Sequence, residues 1–154
     1  MGVSGCGKST VGQLLAEEFG ARFIDGDDLH PAANKAKMAA GTPLNDDDRW
    51  PWLALVGETL AEGDTVVACS ALKRVYRERI LAAAPNTKFV HLAGSREVLE
   101  QRLGARSGHF MPASLLDSQL ATLEALATDE PGVVVDIDQP VAAIVAEAAA
   151  WLRS

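Results

Sequence analysis

The stretch GVSGCGKS, from Gly2 to Ser9, fits the spacing G-x-x-x-x-G-K-[ST]. Glycines at positions 2, 5 and 7 let the backbone curl so that successive N–H groups point inward at an anion, and a helix opening near Lys8 adds its positive end. Lys8 then reaches the β- and γ-phosphates of a nucleotide, and the Ser9 hydroxyl is placed to ligate Mg2+. The chemistry advertised is phosphoryl transfer, and the acceptor must be read from the rest of the chain.

Carboxylates follow in FIDGDDLHP, where Asp25, Asp27 and Asp28 stand just past a short apolar run that reads as a buried strand. Open α/β sheets bind ligands at the C-terminal ends of their strands, so these groups are expected to face the phosphate loop. Such a cluster can hold Mg2+ and accept a proton from an attacking hydroxyl. Alternate residues of an extended segment point the same way, which pairs Asp25 with Asp27 and leaves Asp28 to cap a helix or face solvent. The competing reading is an Asx-rich turn.

Basic residues form two further groups. Lys73, Arg74 and Arg77 follow the next apolar run, with Lys73 and Arg77 four apart and so on one face of a helix. In a chain of formal net charge −7 such a focus suggests an anionic substrate, against the plainer alternative of a solvated basic face. Arg102 and Arg106, also four apart, precede the Gly-containing hinge SGHFMP, so both guanidinium groups could swing onto a transferring phosphate as a lid closes. His109 in that hinge either contacts substrate or packs. In LNDDDRWPW, Asp46 to Asp48 read as helix-capping and solvated, Trp50 and Trp52 as packing residues, and Arg49 as a carboxylate contact. Neither His30 nor His91 has metal-ligand spacing. His91 reads as a core or strand-end residue, and Cys69 as core.

The elements that must position these groups are legible from periodicity. Val11, Leu14, Leu15 and Phe19 predict a helix stopped by Gly20, and a small helix runs from Pro31 to Gly41. Leu53, Val56 and Leu60 share one helix face, with Pro51 near that helix's start. Further helices are predicted over SALKRVYRERILAAAP, SREVLEQRLGAR with Ser95 as N-cap, PASLLDSQLATLEAL and PVAAIVAEAAAWLRS. The strands RFID, TVVAC, KFVHL and GVVVD are short and apolar without polar alternation, which points to an α/β fold with a parallel sheet covered on both faces.

Composition narrows the class. The 154 residues suit one domain, and 48% hydrophobic with 23% charged residues is the balance of a chain that buries a core. The negative charge disfavours nucleic acid, since neutralising a phosphate polymer requires a basic face. Cys6 and Cys69 form neither a C-x-x-C nor a zinc pattern, and no apolar stretch approaches the ~18 residues of a membrane span, so a reducing, cytoplasmic setting is expected.

Together the blocks GVSGCGKST, DGDDLHP, NKAKMAAGTPLNDDDRWPWL, CSALKRVYRERI, GHFMPASLLDSQLATLE and VVDIDQP resemble the gluconate kinase (gluconokinase) family, thermoresistant type, a branch of the P-loop shikimate and nucleoside-monophosphate kinases. The resemblance covers nearly the whole chain, and CSALKR and GHFMP are far more specific than the phosphate loop. It implies ATP- and Mg2+-dependent phosphorylation of the 6-hydroxyl of D-gluconate, often by a homodimer. By the same resemblance, residues 2–10, including Ser4, Cys6 and Thr10, would bind ATP phosphates, and Asp25 would assist the metal. Asp27 would be the general base. Arg49, Lys73, Arg74 and Arg77, with His30 and His109, would line the sugar-acid pocket, about residues 28–62 being the substrate-side helical region. Arg102 and Arg106 would serve a lid spanning about 102–112, and Asp138, Gln139 and Pro140 would line the adenine. Cys6 stands where the family loop commonly has serine, and a thiol beside Lys8 could be oxidisable.

The phosphate loop normally follows a buried strand, but here only Met1 precedes Gly2. The family sheet order is 2-3-1-4-5, so the expected strand is central, and TVVAC and KFVHL would each lack a partner without it. The expectation is a short apolar strand encoded upstream, with Met1 at its end. The competing functional expectation is an N-terminally truncated, inactive nucleotide-binding or dimerisation module.

Overall fold

The structure, a computed structural model, describes residues 1–105 and 113–154. Its elements in chain order are α1 (Lys8–Phe19), β1 (Arg22–Asp25), a 3-10 turn (Gly26–Leu29), α2 (Ala32–Ala39), α3 (Asp46–Ala61), β2 (Thr65–Ala68), α4 (Arg74–Ala83), β3 (Phe89–Ala93), α5 (Arg96–Ala105), α6 (Ala113–Thr122), β4 (Gly132–Asp136) and α7 (Val141–Arg153). Strands alternating with helices give the parallel α/β arrangement that the apolar runs predict.

The strands pair in two sets. β1 runs parallel to β2 with Arg22 opposite Thr65 and Asp25 opposite Ala68, and β3 runs parallel to β4 with Phe89 opposite Gly132 and Ala93 opposite Asp136. Among the described residues no strand joins β2 to β3. These pairings are the outer two on each side of the order expected from the sequence, and a cleft takes the centre.

Two apolar clusters hold the layers. Leu15 of α1, Leu92 of β3, Val135 of β4 and Ile144 of α7 belong to one, whereas Leu53 and Val56 of α3 and Ile80 of α4 belong to the other. Full burial of each such side chain is worth roughly 1.5 to 3 kcal/mol.

Three helix boundaries differ from the sequence expectation, one of them the end of α6, which stops at Thr122 and not at Leu126. Helix α3 begins at Asp46, because Asn45 and Asp48 form a reciprocal capping box, and Pro51 therefore lies inside the helix. Helix α4 begins at Arg74 with Lys73 as its N-cap, so residues 70–73 form an irregular lead-in and the basic helix is shorter than its sequence suggests. Ser95 does cap α5, accepting from Val98 N–H at 3.2 Å. Among the described residues no helix is long and apolar enough to cross a membrane.

Candidate active site

The phosphate loop runs straight into α1. Gly5 and Gly7 have φ of 85° and 97°, a region L-residues avoid, and a Cβ on Gly5 would stand 2.8 Å from Leu103 Cγ. Lys8 Nζ donates to the carbonyls of Gly2 at 2.9 Å and Val3 at 3.1 Å, so the ammonium lies across the mouth of its own loop. Ser9 and Thr10 are exposed on the first turn of α1. Ser4 N–H donates to Gln119 Oε1 of α6 at 2.6 Å, tying the loop to that helix. Cys6 is fully buried in the apolar core. This corrects the idea of an accessible, oxidisable thiol: its side chain faces the core, and only its backbone can serve the cradle.

Arg102 of α5 stands beside the loop. Its Nη1 lies 3.9 Å from where a Gly7 Cβ would be, and its Nη2 donates to the carbonyl of Ile137. The same side chain thus links the cradle to the segment carrying Asp138, Gln139 and Pro140. That segment is folded by local bonds, Asp138 N–H to Asp136 Oδ1 at 2.9 Å and Gln139 Nε2 to Asp136 O at 2.7 Å, and Pro140 opens α7. Arg106 and His109 lie outside the described residues.

On the other side of β2, Asp25 ends β1. Its Oδ1 accepts from Asp27 N–H at 3.0 Å and caps the 3-10 turn. Because residues 26–29 are helical rather than extended, the alternation that paired Asp25 with Asp27 does not apply, and Asp25 takes the capping part given to Asp28. Asp27 and Asp28 are both exposed. The turn is pressed onto β2: a Cβ on Gly26 would meet Ala68 O at 2.4 Å, while Trp52 Nε1 donates to Gly26 O at 2.8 Å. His30 stacks on Trp52 at 4.2 Å between ring centroids, and its Nδ1 contacts Asn34 Nδ2 at 3.2 Å. Burial lowers its pKa, so His30 braces the acidic turn as a neutral, 7% exposed ring.

The basic residues divide. Arg49 Nη1 lies 3.4 Å from both Asp46 Oδ1 and the Tyr76 hydroxyl, and Lys73 Nζ lies 3.8 Å from Asp46 Oδ2. Both cations also sit over the Tyr76 ring, at 5.7 and 5.5 Å. Asp46 is therefore not simply solvated: the Tyr76 hydroxyl bonds it and holds its carboxyl below the usual range. Arg74 and Arg77 turn elsewhere. Arg74 makes a bidentate pair with Asp129 at 2.6 and 3.0 Å. Arg77 is wholly buried, its guanidinium bonded to Glu130 through Nε at 2.7 Å and Nη2 at 3.1 Å and to the carbonyls of Ala71, Leu72 and Glu124. Placing Lys73 and Arg77 on one basic face is thus corrected, since Lys73 precedes the helix and Arg77 points into the core.

A family model described as an AAA domain matches residues 1–126. Thermoresistant gluconokinase of Escherichia coli (strain K12) is 46% identical over 152 residues, covering 95% of this chain and 87% of that protein. This chain belongs to the gluconokinase family. A gluconokinase from Sinorhizobium meliloti 1021 matches it in structure with a TM-score of 0.91 and 55% identity, covering 99% of this chain and 89% of that one. A shikimate kinase from Bacteroides thetaiotaomicron, at 19% identity and a TM-score of 0.72, shares the P-loop kinase fold.

Within this gluconokinase-family chain the sequence reading left out three site neighbours. Tyr76 and Asp46 come together only through the packing of α3 on α4, and Gln119 reaches the loop across 115 positions of sequence. The spacing of Arg49 three residues after Asp46, one helical turn, was the available signal for Asp46. Nothing local marks Gln119.

Proposed function

We propose that the chain transfers the γ-phosphoryl group of ATP to the 6-hydroxyl of D-gluconate, giving 6-phospho-D-gluconate and ADP. The observation that carries this reading is the arrangement at one sheet edge: the glycine cradle with Lys8 and Arg102 on one side of the β2 end, the Asp25–Asp27 turn on the other. Phosphoryl transfer requires little of a protein beyond positioning and charge neutralisation, and this arrangement supplies both.

In this reading the backbone from Gly2 to Thr10 binds the phosphates, and Lys8 exchanges its loop carbonyls for phosphate oxygens. Among the described residues no group of three or more His, Cys, Asp and Glu converges on one point. That suits Mg2+, which binds through one or two protein oxygens plus substrate phosphates and water. Ser9 and the Asp25 oxygen not engaged in capping are the ligands assigned to it, and the ion would neutralise charge on the phosphates. Asp27 accepts the proton of the 6-hydroxyl as its oxygen attacks phosphorus. Arg102, with Arg106, stabilises the equatorial oxygens, and Arg49 and Lys73 receive the gluconate carboxylate. His109 keeps its place as a lid-side substrate contact. His30, Arg74 and Arg77 take no part in holding substrate in this reading, because their polar groups are already engaged in the fold.

A coupled ADP-release assay over gluconate, shikimate and nucleoside monophosphates tests the reading. Turnover with gluconate alone is expected. Turnover only with another acceptor, or none with any, overturns it.

A further inference from the structure

The peptide plane between Val3 and Ser4 is held at both of its polar ends. Val3 O accepts from Lys8 Nζ at 3.1 Å and from Cys6 N–H at 3.3 Å, while Ser4 N–H, the other polar group of that plane, donates to Gln119 Oε1 at 2.6 Å. Among the described residues no peptide bond is cis. In a trans peptide the C=O and N–H point in opposite directions, so an acceptor that fixes the Ser4 N–H also fixes where the Val3 carbonyl aims. One side-chain bond and one rigid plane therefore link Gln119 to the Lys8 ammonium.

The support behind Gln119 is itself anchored. Leu116, wholly buried, and Leu120 and Leu123 seat α6 and its end on the apolar cluster that also contains Val3 and Cys6. Just past the helix, Glu124 N–H donates to Leu72 O at 2.7 Å, and Glu124 Oε1 accepts from Arg74 N–H at 3.0 Å, which ties that end to the start of α4. A side chain carried on an element fixed in this way holds its partner in place. Because a backbone N–H can only donate, the Gln119 amide must present its oxygen to Ser4.

The other orientation of the plane shows what the bond secures. Turned over, the plane would aim the Val3 carbonyl away from Lys8 and strip Cys6 N–H of its acceptor. Gly2 O, at 2.9 Å, would be left as the lysine's one loop acceptor among the described residues.

We propose that Gln119 is a positioning residue for Lys8: it locks the Val3–Ser4 peptide so that the ammonium waits aligned at the mouth of the phosphate loop. The proposal rests on the reading of Lys8 as the group that receives the β- and γ-phosphates of ATP. Alignment before binding spares ATP the cost of ordering the lysine and its loop. Loss of the Gln119 oxygen should therefore weaken the hold on the outer phosphates and leave the adenosine end untouched.

The test is a double-mutant cycle on nucleotide affinity, measured by calorimetry with ATP and, as control, AMP, which has no β- or γ-phosphate. Gln119→Met removes the acceptor at nearly constant volume from a half-buried site, so the thermal midpoint should move by no more than about 4 °C. ATP affinity should fall about 5- to 10-fold, the worth of one hydrogen bond, with AMP affinity unchanged. In a Lys8→Met background the same substitution should change ATP affinity by less than about twofold, because the residue through which it acts is gone. Gln119→Ala, which cuts the same bond, should repeat the cycle. Equal losses in both backgrounds, a parallel loss of AMP affinity, or unchanged ATP affinity in Gln119→Met overturns the proposal alone. Unchanged ATP affinity in Lys8→Met overturns the phosphate role of Lys8, and the proposal with it.

Discussion

The hydroxyl of Tyr76 on α4 donates to Asp46, the first residue of α3, at 2.5 Å, and fastens the two helices where Arg49 and Lys73 converge. Asp46 thereby balances both cations. Burial, with the bond to Asp46, raises the phenol to about 12, so Tyr76 acts as a donor throughout the working pH range.

Tyr76→Phe should therefore act on binding. It frees Asp46 to pair more closely with Arg49 and Lys73, which hinders an incoming carboxylate. The KM for gluconate should rise roughly tenfold, as expected for one lost hydrogen bond to a charged group, with kcat nearly unchanged. Steady-state kinetics at saturating ATP measure this, and an unchanged KM removes the cluster from the gluconate site.

Arg77 and Lys73 should separate stability from binding. Arg77→Met leaves Glu130 buried without its partner, and breaking one side of a buried pair costs about 3 to 5 kcal/mol. Lys73 is partly exposed, so Lys73→Met should leave the urea midpoint nearly unchanged and raise the KM for gluconate. Urea titrations on both variants decide; similar stability losses would make Lys73 structural too.

These contrasts show what the sequence could carry. Gly2 to Ser9, the four apolar strands and the Gly20 stop of α1 are local patterns, so they were readable and appear as expected, whereas α6 ends at Thr122, short of the expected Leu126. Arg74 and Arg77 have the same residue type as Arg49, and their fates depend on Asp129 and Glu130, more than fifty residues away in sequence. No spacing rule sees that partnership. The Asp25–Asp27 alternation failed for a different reason: Asp25 caps a 3-10 turn over Gly26–Leu29, and only a residue without a Cβ fits where that turn meets Ala68 O, so the chain turns where an extended run was expected.

His91 gives a pH signature. Its Nδ1 is buried without a hydrogen-bond partner among the described residues, and burial, with the Met1 amino end and Arg77, lowers its pKa to about 4. The folded pKa lies below the ordinary 6.5, so stability from the neutral ring is complete above pH 6.5 and is lost as pH falls toward 4. Between pH 6.5 and pH 5 the loss should be about 2 kcal/mol. His30, lowered in the same direction, adds to the slope, so the comparison is with His91→Leu. That variant should show a clearly flatter stability profile over the interval; identical slopes would mean that His91 stays uncharged in the unfolded chain or becomes solvated in the folded one.

Asp27 and Asp25 share one turn but should fail in different ways. Asp27 is exposed and lends only backbone groups to the turn, its N–H to Asp25 and its carbonyl to the His30 N–H, so Asp27→Asn should keep the turn, the loop and the nucleotide site. Nucleotide binding should survive while kcat falls by about 10²- to 10⁴-fold, the usual contribution of a positioned base. Asp25→Asn retains a capping oxygen yet removes the charge assigned to Mg2+. Its activity should fall with a raised Mg2+ requirement, restored in part by excess Mg2+, a response Asp27→Asn should not show. Near-normal turnover in Asp27→Asn would take the base role from Asp27 and leave deprotonation to the bound phosphate itself.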